Sequence, residues 1–441
     1  MWRCDYDDLP VRPFHWRIGT ASTGGVFADG FGLGIIGIAL SLAAPELGLD
    51  PAWLGLLGGA SLAGLFAGAL LTGPTADRLG RRPIYASNMA LAALVSSLQF
   101  AVHSRAQLLA LRLAIGFLLG TDYVVSKALL TEFVPRQLRG RVLGIFSVAW
   151  AGGYASAYAA GYALTGAGPQ PWRWMLLASA APCLLVAPLR MSIPESPLWL
   201  AHHGRRERAI EIARGALGVE VELPRQSHAR SAPRTAWTAL FSPRWRVRTA
   251  VACTFFACQV IPYFAVGTFI SEVMAALNLK GVYAGGLIYN LALVAGAVAG
   301  LLIVNRISRR AFLVGSFFIA AAATLLLSTW PSAGRTLVIA LFAILACVLS
   351  AASNLVYVYL PELFPTDLRA SGIGLAVAAS RLGSAVGTFL LPIVVAAYGA
   401  QVALGACVAV LVLGGAICYR WAPETKDVRL SALDCEAAGL R

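Results

Sequence analysis

The chain has 441 residues, of which 58% are hydrophobic and only 13% charged, and it carries a formal net charge of +14. A soluble domain has about 25% charged residues, so this composition, with a mean hydropathy of +0.72, excludes an ordinary wetted globular enzyme. The positive charge sits in short loops between apolar runs and not in a hydrophilic domain, which excludes a nucleic-acid partner and makes the charge a topology signal.

Apolar runs of about 20 residues, the length a bilayer core requires of a helix, fall at 24–44, 53–72, 83–102, 107–131, 142–165 and 173–193. After a polar break they resume at 247–271, 283–304, 311–329, 335–359, 371–397 and 401–421. The prediction is an all-α membrane protein of twelve spans in two sets of six. The first span follows acidic Asp5, Asp7 and Asp8 and is too long for a signal peptide, so it is expected to be retained. Arg78, Arg81 and Arg82 follow span two; Arg136, Arg139 and Arg141 follow span four; Arg306, Arg309 and Arg310 follow span eight. The opposite loops hold little: Glu46 and Asp50 after span one, Lys280 after span seven, and no charge between Leu164 and Gln170. The positive-inside rule then places both termini and the central loop in the cytoplasm, in a bacterial-type inner membrane.

The expected organisation is a six-helix half over 1–193, a cytoplasmic segment over 194–246 and a second half with its tail over 247–441. Within the central segment, Ser196 to Leu217 reads as one amphipathic interfacial helix with Arg205, Arg206 and Arg208 on its polar side. Pro224 to Pro233 reads as a flexible linker. The eight Cys are scattered without paired spacing, so no disulfide framework is expected. The five His lie at or outside span edges, and neither a metal nor a cofactor is expected. No Gly-rich phosphate loop ending in Lys-Ser or Lys-Thr appears, so ATP hydrolysis and enzyme activity are not expected.

One pattern occurs twice. Asp77-Arg78-Leu79-Gly80-Arg81-Arg82, Glu132-Phe133-Val134-Pro135 with Arg139, and Pro194-Glu195-Ser196 return as Asn305-Arg306-Ile307-Ser308-Arg309-Arg310, Glu362-Leu363-Phe364-Pro365 with Arg369, and Pro423-Glu424-Thr425. Asp77 to Asn305, Glu132 to Glu362 and Pro194 to Pro423 are 228, 230 and 229 positions apart. Charged motifs kept in step across two apolar halves mean a duplicated unit, the mark of a secondary transporter.

These residues resemble the major facilitator superfamily over essentially the whole chain. Gly73 to Arg82 is similar to its loop signature between helices two and three. Pro194-Glu195-Ser196-Pro197, Glu362-Leu363-Phe364-Pro365 with Arg369, and Pro423-Glu424-Thr425-Lys426 resemble the sugar-porter branch. In span seven Cys258-Gln259 stands where a sugar porter has Gln-Gln, and in span ten Tyr357 stands where it has Trp. Asp29-Gly30-Phe31, Gly120-Thr121-Asp122-Tyr123 and Ser380-Arg381-Leu382-Gly383 instead look like metabolite:proton symporters for organic or aromatic acids, phosphate or nicotinate. The resemblance implies alternating access, with Asp77, Arg78, Arg81, Arg82, Glu132, Arg139, Glu195, Arg306, Glu362, Arg369 and Glu424 in cytoplasmic gate networks. Glu132 and Glu362 are expected to pair with Arg139, Arg369 or the Arg81-Arg82 dyad.

Charges inside spans are the sharpest functional signal, because each costs about 2.5–3.5 kcal/mol at the bilayer centre. Arg381 lies ten residues into span eleven, on the order of 15 Å deep at the helical rise. It is either a structural ion-pair member or the anchor for an anion, whose carboxylate matches a guanidinium fork. Asp122, in span four, is similarly deep, and Asp29 lies five residues into span one. Both are candidates for proton coupling, against structural pairing with Arg381 or Lys127. Arg112, early in span four, is expected to orient the helix or join an outer gate. Gln259, Tyr263, Asn290, Asn354, Tyr357, Trp150 and Tyr154 are candidate substrate contacts, with packing as the alternative for each aromatic. The sequence therefore predicts a monomeric importer of a small organic anion with protons, working in the lipid bilayer. The alternatives are a neutral sugar porter and a proton-coupled metabolite or drug exporter.

Overall fold

The computed structural model describes residues 4–5, 11–134, 136–217, 221–222, 236–277, 279, 281–304, 306–330 and 334–426. The linker at 224–233, Lys280, Asn305 and the side chain of Arg139 lie outside the described residues. Twelve helices are long and apolar enough to cross a membrane, as expected. They are Pro13–Leu47, Pro51–Leu79, Arg81–Ala101, Arg105–Phe133, Val142–Gly166 and Pro171–Met191, then Arg246–Thr268, Val282–Ile303, Arg309–Thr329, Arg335–Ala352, Ser371–Tyr398 and Ala400–Trp421. They are called spans one to twelve below. The one sheet pairing among the described residues joins Cys4–Asp5 to Val221–Glu222 in parallel.

Two expectations about elements are corrected. Span ten stops at Ala352, and a separate helix, Leu355–Glu362, follows after Ser353 and Asn354. The Ser353 hydroxyl donates to the Leu349 carbonyl at 3.1 Å, and the Asn354 amide donates to the Ala351 and Ala297 carbonyls at 3.2 and 3.1 Å. Side chains that bond backbone carbonyls in this way compete with the helical ladder, and hydropathy alone does not register the competition. Within the central segment, 196–217 likewise forms two helices, Pro197–His202 and Arg206–Leu217, in place of one. Ser196 caps the first, accepting from the Trp199 N–H at 3.2 Å with Pro197 in the first turn. Gly204, at φ +74, supplies the left-handed residue that ends it. Trp199, Leu200, Ala209 and Ala213 form a small buried cluster between the two, while Arg205, Arg206 and Arg208 are exposed.

Contacts group the chain into two units. The first comprises Met1–Ile35, Ala63–Ala157 and Arg173–Arg230, and holds the first-copy charged motifs together with the two central helices. The second comprises Ile36–Leu62, Tyr158–Trp172 and Ser231–Arg441. It therefore gathers the ends of spans one, two and five that lie away from the charged motifs and packs them with spans seven to twelve. Two glycines allow that packing. A side chain on Gly37 would collide with the Thr268 carbonyl after span seven's last turn, and one on Gly55 with the Phe389 carbonyl of span eleven. Membrane helices lack a hydrophobic drive toward each other, so such backbone contact supplies the attraction.

Candidate functional site

The repeated motifs build the same device in each unit. In the first, Glu195 accepts from the backbone N–H groups of Arg81 and Arg82, both at 3.1 Å, at the start of span three. The Arg81 guanidinium pairs with Glu132, and Asp77 lies 3.5 Å from it while remaining 72% exposed. Trp199 Nε1 donates to the Asp77 carbonyl at 2.9 Å. In the second, Glu424 accepts from the backbone N–H groups of Arg309 and Arg310 at 3.0 and 3.2 Å and from the Ser308 hydroxyl, at the start of span nine. Arg309 lies 3.5 Å from Glu362, which also accepts from the Thr425 hydroxyl at 2.5 Å. A carboxylate on a helix N-terminus meets unpaired N–H groups and the positive end of the helix dipole. Burial raises the Glu424 carboxyl somewhat, but the Ser308 hydroxyl and the N–H groups of Lys426, Arg310 and Arg309 outweigh it and hold it down at about 2.

The glutamates thus choose the first arginine of the Arg81-Arg82 and Arg309-Arg310 dyads. Arg369 donates instead to the Pro361 carbonyl at 3.1 Å, so the expected pairing of Glu362 with Arg369 is corrected. Arg82 is exposed and engages Glu195 through its backbone alone, and Arg78 is exposed outside these contacts. The Arg306 carbonyl accepts from Lys426 Nζ at 2.9 Å.

Deeper in the first unit, Asp122 is paired with Arg190 of span six, and not with Lys127 or Arg381. Arg190 is fully buried and Asp122 is 1% exposed. A second bond, Arg190 Nη2 to Asp122 Oδ2, measures 3.0 Å. The Ser126 hydroxyl donates to Asp122 at 2.9 Å, and Arg190 Nε donates to the Ala21 carbonyl at 3.3 Å. The guanidinium stacks 4.3 Å over the Tyr85 ring, whose hydroxyl shares a 2.9 Å bond with Ser22. Gly25 makes the room: a side chain there would occupy the guanidinium's place. Asp29 of span one, 9% exposed, is buried in the same unit. Lys127 sits 3.2 Å over the Tyr123 ring. Arg112 is fully buried and donates to the Gly32 carbonyl of span one at 3.1 Å. Trp150 and Tyr154 stack with ring centroids 5.2 Å apart.

Sequence reading missed Arg190. It stands three residues from the predicted end of span six, where an arginine reads as a topology determinant. The usable signal was the pair of small residues Gly24-Gly25 in span one, which marks a close approach by something large.

In the second unit Arg381 is 8% exposed, with its guanidinium 5.9 Å from the Phe256 ring and 5.7 Å from the Phe264 ring of span seven. Gln259, 1% exposed, donates to the Leu349 carbonyl and the Ser353 hydroxyl, both at 2.8 Å. The Asn290 amide donates to the Gly286 carbonyl at 2.8 Å. The side-chain oxygens of Gln259, Asn290 and Asn354 are buried and accept no hydrogen bond among the described residues. Buried acceptors of this kind are costly unless something else meets them. Tyr263 is buried edge-on to Phe264 with centroids 5.4 Å apart, and Tyr357 is half-buried. Within the second unit spans seven, ten and eleven thus bring a guanidinium, amides and aromatic rings together, while Asp29, Asp122, Trp150 and Tyr154 belong to the first. Among the described residues no group of three His, Cys, Asp or Glu is placed to hold a metal.

The model of the family described as sugar (and other) transporter matches residues 19–436. The chain is 41% identical over 426 residues to the inner membrane metabolite transport protein YgcS of Escherichia coli strain K12, covering 97% of this chain and 95% of that protein. It is 26% identical over 388 residues to the niacin transporter NiaP of Acinetobacter baylyi, covering 86% of each. A partially occluded inward-open structure of the xylose transporter XylE from E. coli matches with a TM-score of 0.78 at 20% identity, over 95% of this chain and all of that one.

Proposed function

This chain belongs to the sugar (and other) transporter family of the major facilitator superfamily, and from that premise we propose that it imports a small organic anion with protons by alternating access. It is a multi-pass membrane transporter and not an enzyme. The basic loops support an inner-membrane orientation with both termini in the cytoplasm. The proposed unit of action is the monomer, in two six-helix halves at 1–193 and 247–441 joined by the segment between.

The observation that carries the anion is Arg381. A guanidinium held deep in span eleven against two aromatic faces is largely desolvated, so its attraction for a carboxylate is stronger than in water. The amide oxygens of Gln259, Asn290 and Asn354 would take hydroxyl or N–H donors of the same substrate, and Tyr263 and Tyr357 would supply its apolar contacts. Asp29, Asp122 and Arg190 carry the proton in this reading. Two carboxyls and one guanidinium leave a net negative charge inside the bilayer, and one proton shared by the acids cancels it. The repeated glutamate–arginine devices then serve as the cytoplasmic gate, closed when each glutamate caps its helix.

The test is a thermal-shift screen of purified protein against carboxylates, phosphates, sugars and amino acids, followed by uptake into proteoliposomes with an imposed pH gradient. A carboxylate is expected to stabilise the parent and to have no effect on Arg381→Ala, with that variant still inserted and folded. Unchanged affinity in Arg381→Ala would refute the anchor. The family and the xylose-transporter fold favour a second reading, a neutral sugar, which predicts stabilisation by sugars that survives Arg381→Ala.

A further inference from the structure

Beyond span seven the chain turns at Phe269 and continues as a short helix, Ile270–Ala276. In the orientation proposed above this helix lies at the outer end of the bundle. Its surroundings form a seal. Gly37 of span one meets Thr268, and Gly58 of span two lies against the Phe269 ring. The Tyr158 hydroxyl of span five shares a 2.8 Å bond with the Ser271 hydroxyl, and Gly286 of span eight leaves space for that phenol. Glu46 ties the neighbouring loop down, accepting from Gln170 at 2.6 Å and Trp172 Nε1 at 2.7 Å. Each of these polar groups has its partner.

Glu272 does not. It stands one residue after Ser271, four beyond the end of span seven, with both carboxyl oxygens buried and no hydrogen bond to either. The titratable or charged groups that the packed elements carry toward this end are the phenols of Tyr158, Tyr162, Tyr263, Tyr283, Tyr289 and Tyr398, the carboxylates of Glu46 and Asp50, the Arg335 guanidinium at the start of span ten and, deeper in span eleven, Arg381. Burial pushes the Glu272 carboxyl up to about 7, outweighing its own backbone N–H, which favours the charged form. An ionised carboxylate whose oxygens are removed from water, with no cation and no donor on another residue, is among the costliest groups a protein can bury. The neutral acid removes most of that cost.

We propose that Glu272 is a proton-binding site of the outer seal. Its carboxylate takes a proton from the outer water as the seal closes over it and returns that proton when the seal parts. The sign follows from the two states. An open seal leaves the group solvated and near 4.5, and a closed seal holds it near 7, so closing takes up a proton between those values and is favoured as pH falls. The inference rests on the alternating-access reading and not on the identity of the substrate. It adds a protonation step at the outer gate, separate from the Asp29–Asp122 pair.

Nitroxides at exposed Ala52 and Ala276, in a background without other reactive cysteines, report the seal by electron-electron double resonance. Three proteins are compared between about pH 5 and pH 8, the range over which a carboxyl with this burial changes charge. The parent is expected to show the short spacing at the acid end and to gain a long-spacing population as pH rises through about 7. Glu272→Gln, a permanent neutral mimic, should keep the short spacing throughout. Gly37→Leu, propped open by its side chain, should stay long at every pH. If the parent and Glu272→Gln respond alike, or if the parent ignores pH while Gly37→Leu is long, Glu272 is not the site. Identical fixed spacing in all three would instead overturn alternating access. Should Glu272→Gln fail to fold, the pH-difference infrared spectrum of the parent decides: a protonated-carboxyl band titrating near 7 and retained in Asp29→Asn supports the site, and its absence refutes it.

Discussion

At the scale of single residues, the first unit turns on an arginine that sequence reading did not weigh. Arg190 and Asp122 are both dehydrated, and removing one leaves the other charged in a low-dielectric interior, a loss of about 3–5 kcal/mol. Arg190→Met is therefore expected to unfold in detergent well below the parent temperature. Arg190→Met with Asp122→Leu should recover most of the difference, because neither charge is then stranded. A double variant as unstable as the single would show that packing against Tyr85, and not the ion pair, holds this region. The same geometry separates the two acids. Asp122→Asn strands Arg190 and should cost stability, whereas Asp29→Asn strands nothing. Asp29→Asn is expected to remain folded, to lose pH-driven accumulation in proteoliposomes and to keep counterflow exchange. Uphill accumulation by Asp29→Asn would remove it from the proton path. Both acids were legible as isolated charges in apolar runs; their partner was not, because helix-end arginines normally reach water and hydropathy carries no information on which helix lies opposite.

At the scale of elements, the duplicated motif proves to be a pair of helix caps. Pro194-Glu195-Ser196 and Pro423-Glu424-Thr425 each deliver one carboxylate to the N-terminus of span three or span nine, and the following arginine turns to Glu132 or Glu362. Glu424 is held at about 2, below its ordinary 4.5. A depressed carboxyl contributes stability that is present above the unfolded value and lost as pH falls from 4.5 through about 2. Glu424→Gln should accordingly flatten the acid limb of the thermal stability curve in that window. Its cost at neutral pH is expected to be about 1 kcal/mol, the worth of a cap, and not more, since the group is largely exposed and screened. An unchanged acid limb would show that the cap does not form in solution. The repeat spacing announced that these motifs match; it did not say that the glutamates act on backbone N–H groups, because a capping contact across more than 110 residues leaves no local periodicity. Span ten shows the converse case, where twenty-five apolar-looking residues hid a break made by Ser353 and Asn354 bonding carbonyls.

At the scale of the molecule, twelve spans, two copies and the family followed from composition, run length and motif spacing, since the bilayer limits a chain of this kind to helices of fixed length. The grouping of contacts did not follow. Ile36–Leu62 and Tyr158–Trp172 belong to the first sequence copy, yet they pack with the second. Small residues at 37, 55 and 58 make that packing possible, and in sequence they are indistinguishable from the small residues that hold helices together within one copy. In the alternating access proposed above these contacts form and part in every cycle, so they predict a specific failure. Gly55→Trp places an indole where the Phe389 carbonyl must arrive. Binding of the carboxylate that stabilises the parent should survive, because Arg381, Phe256 and Phe264 are untouched. Counterflow exchange in proteoliposomes should fall to background, because the outer end cannot close behind the substrate. Exchange at the parent rate in Gly55→Trp would mean that Gly55 and Phe389 do not need to meet during transport, and the seal would have to be placed elsewhere.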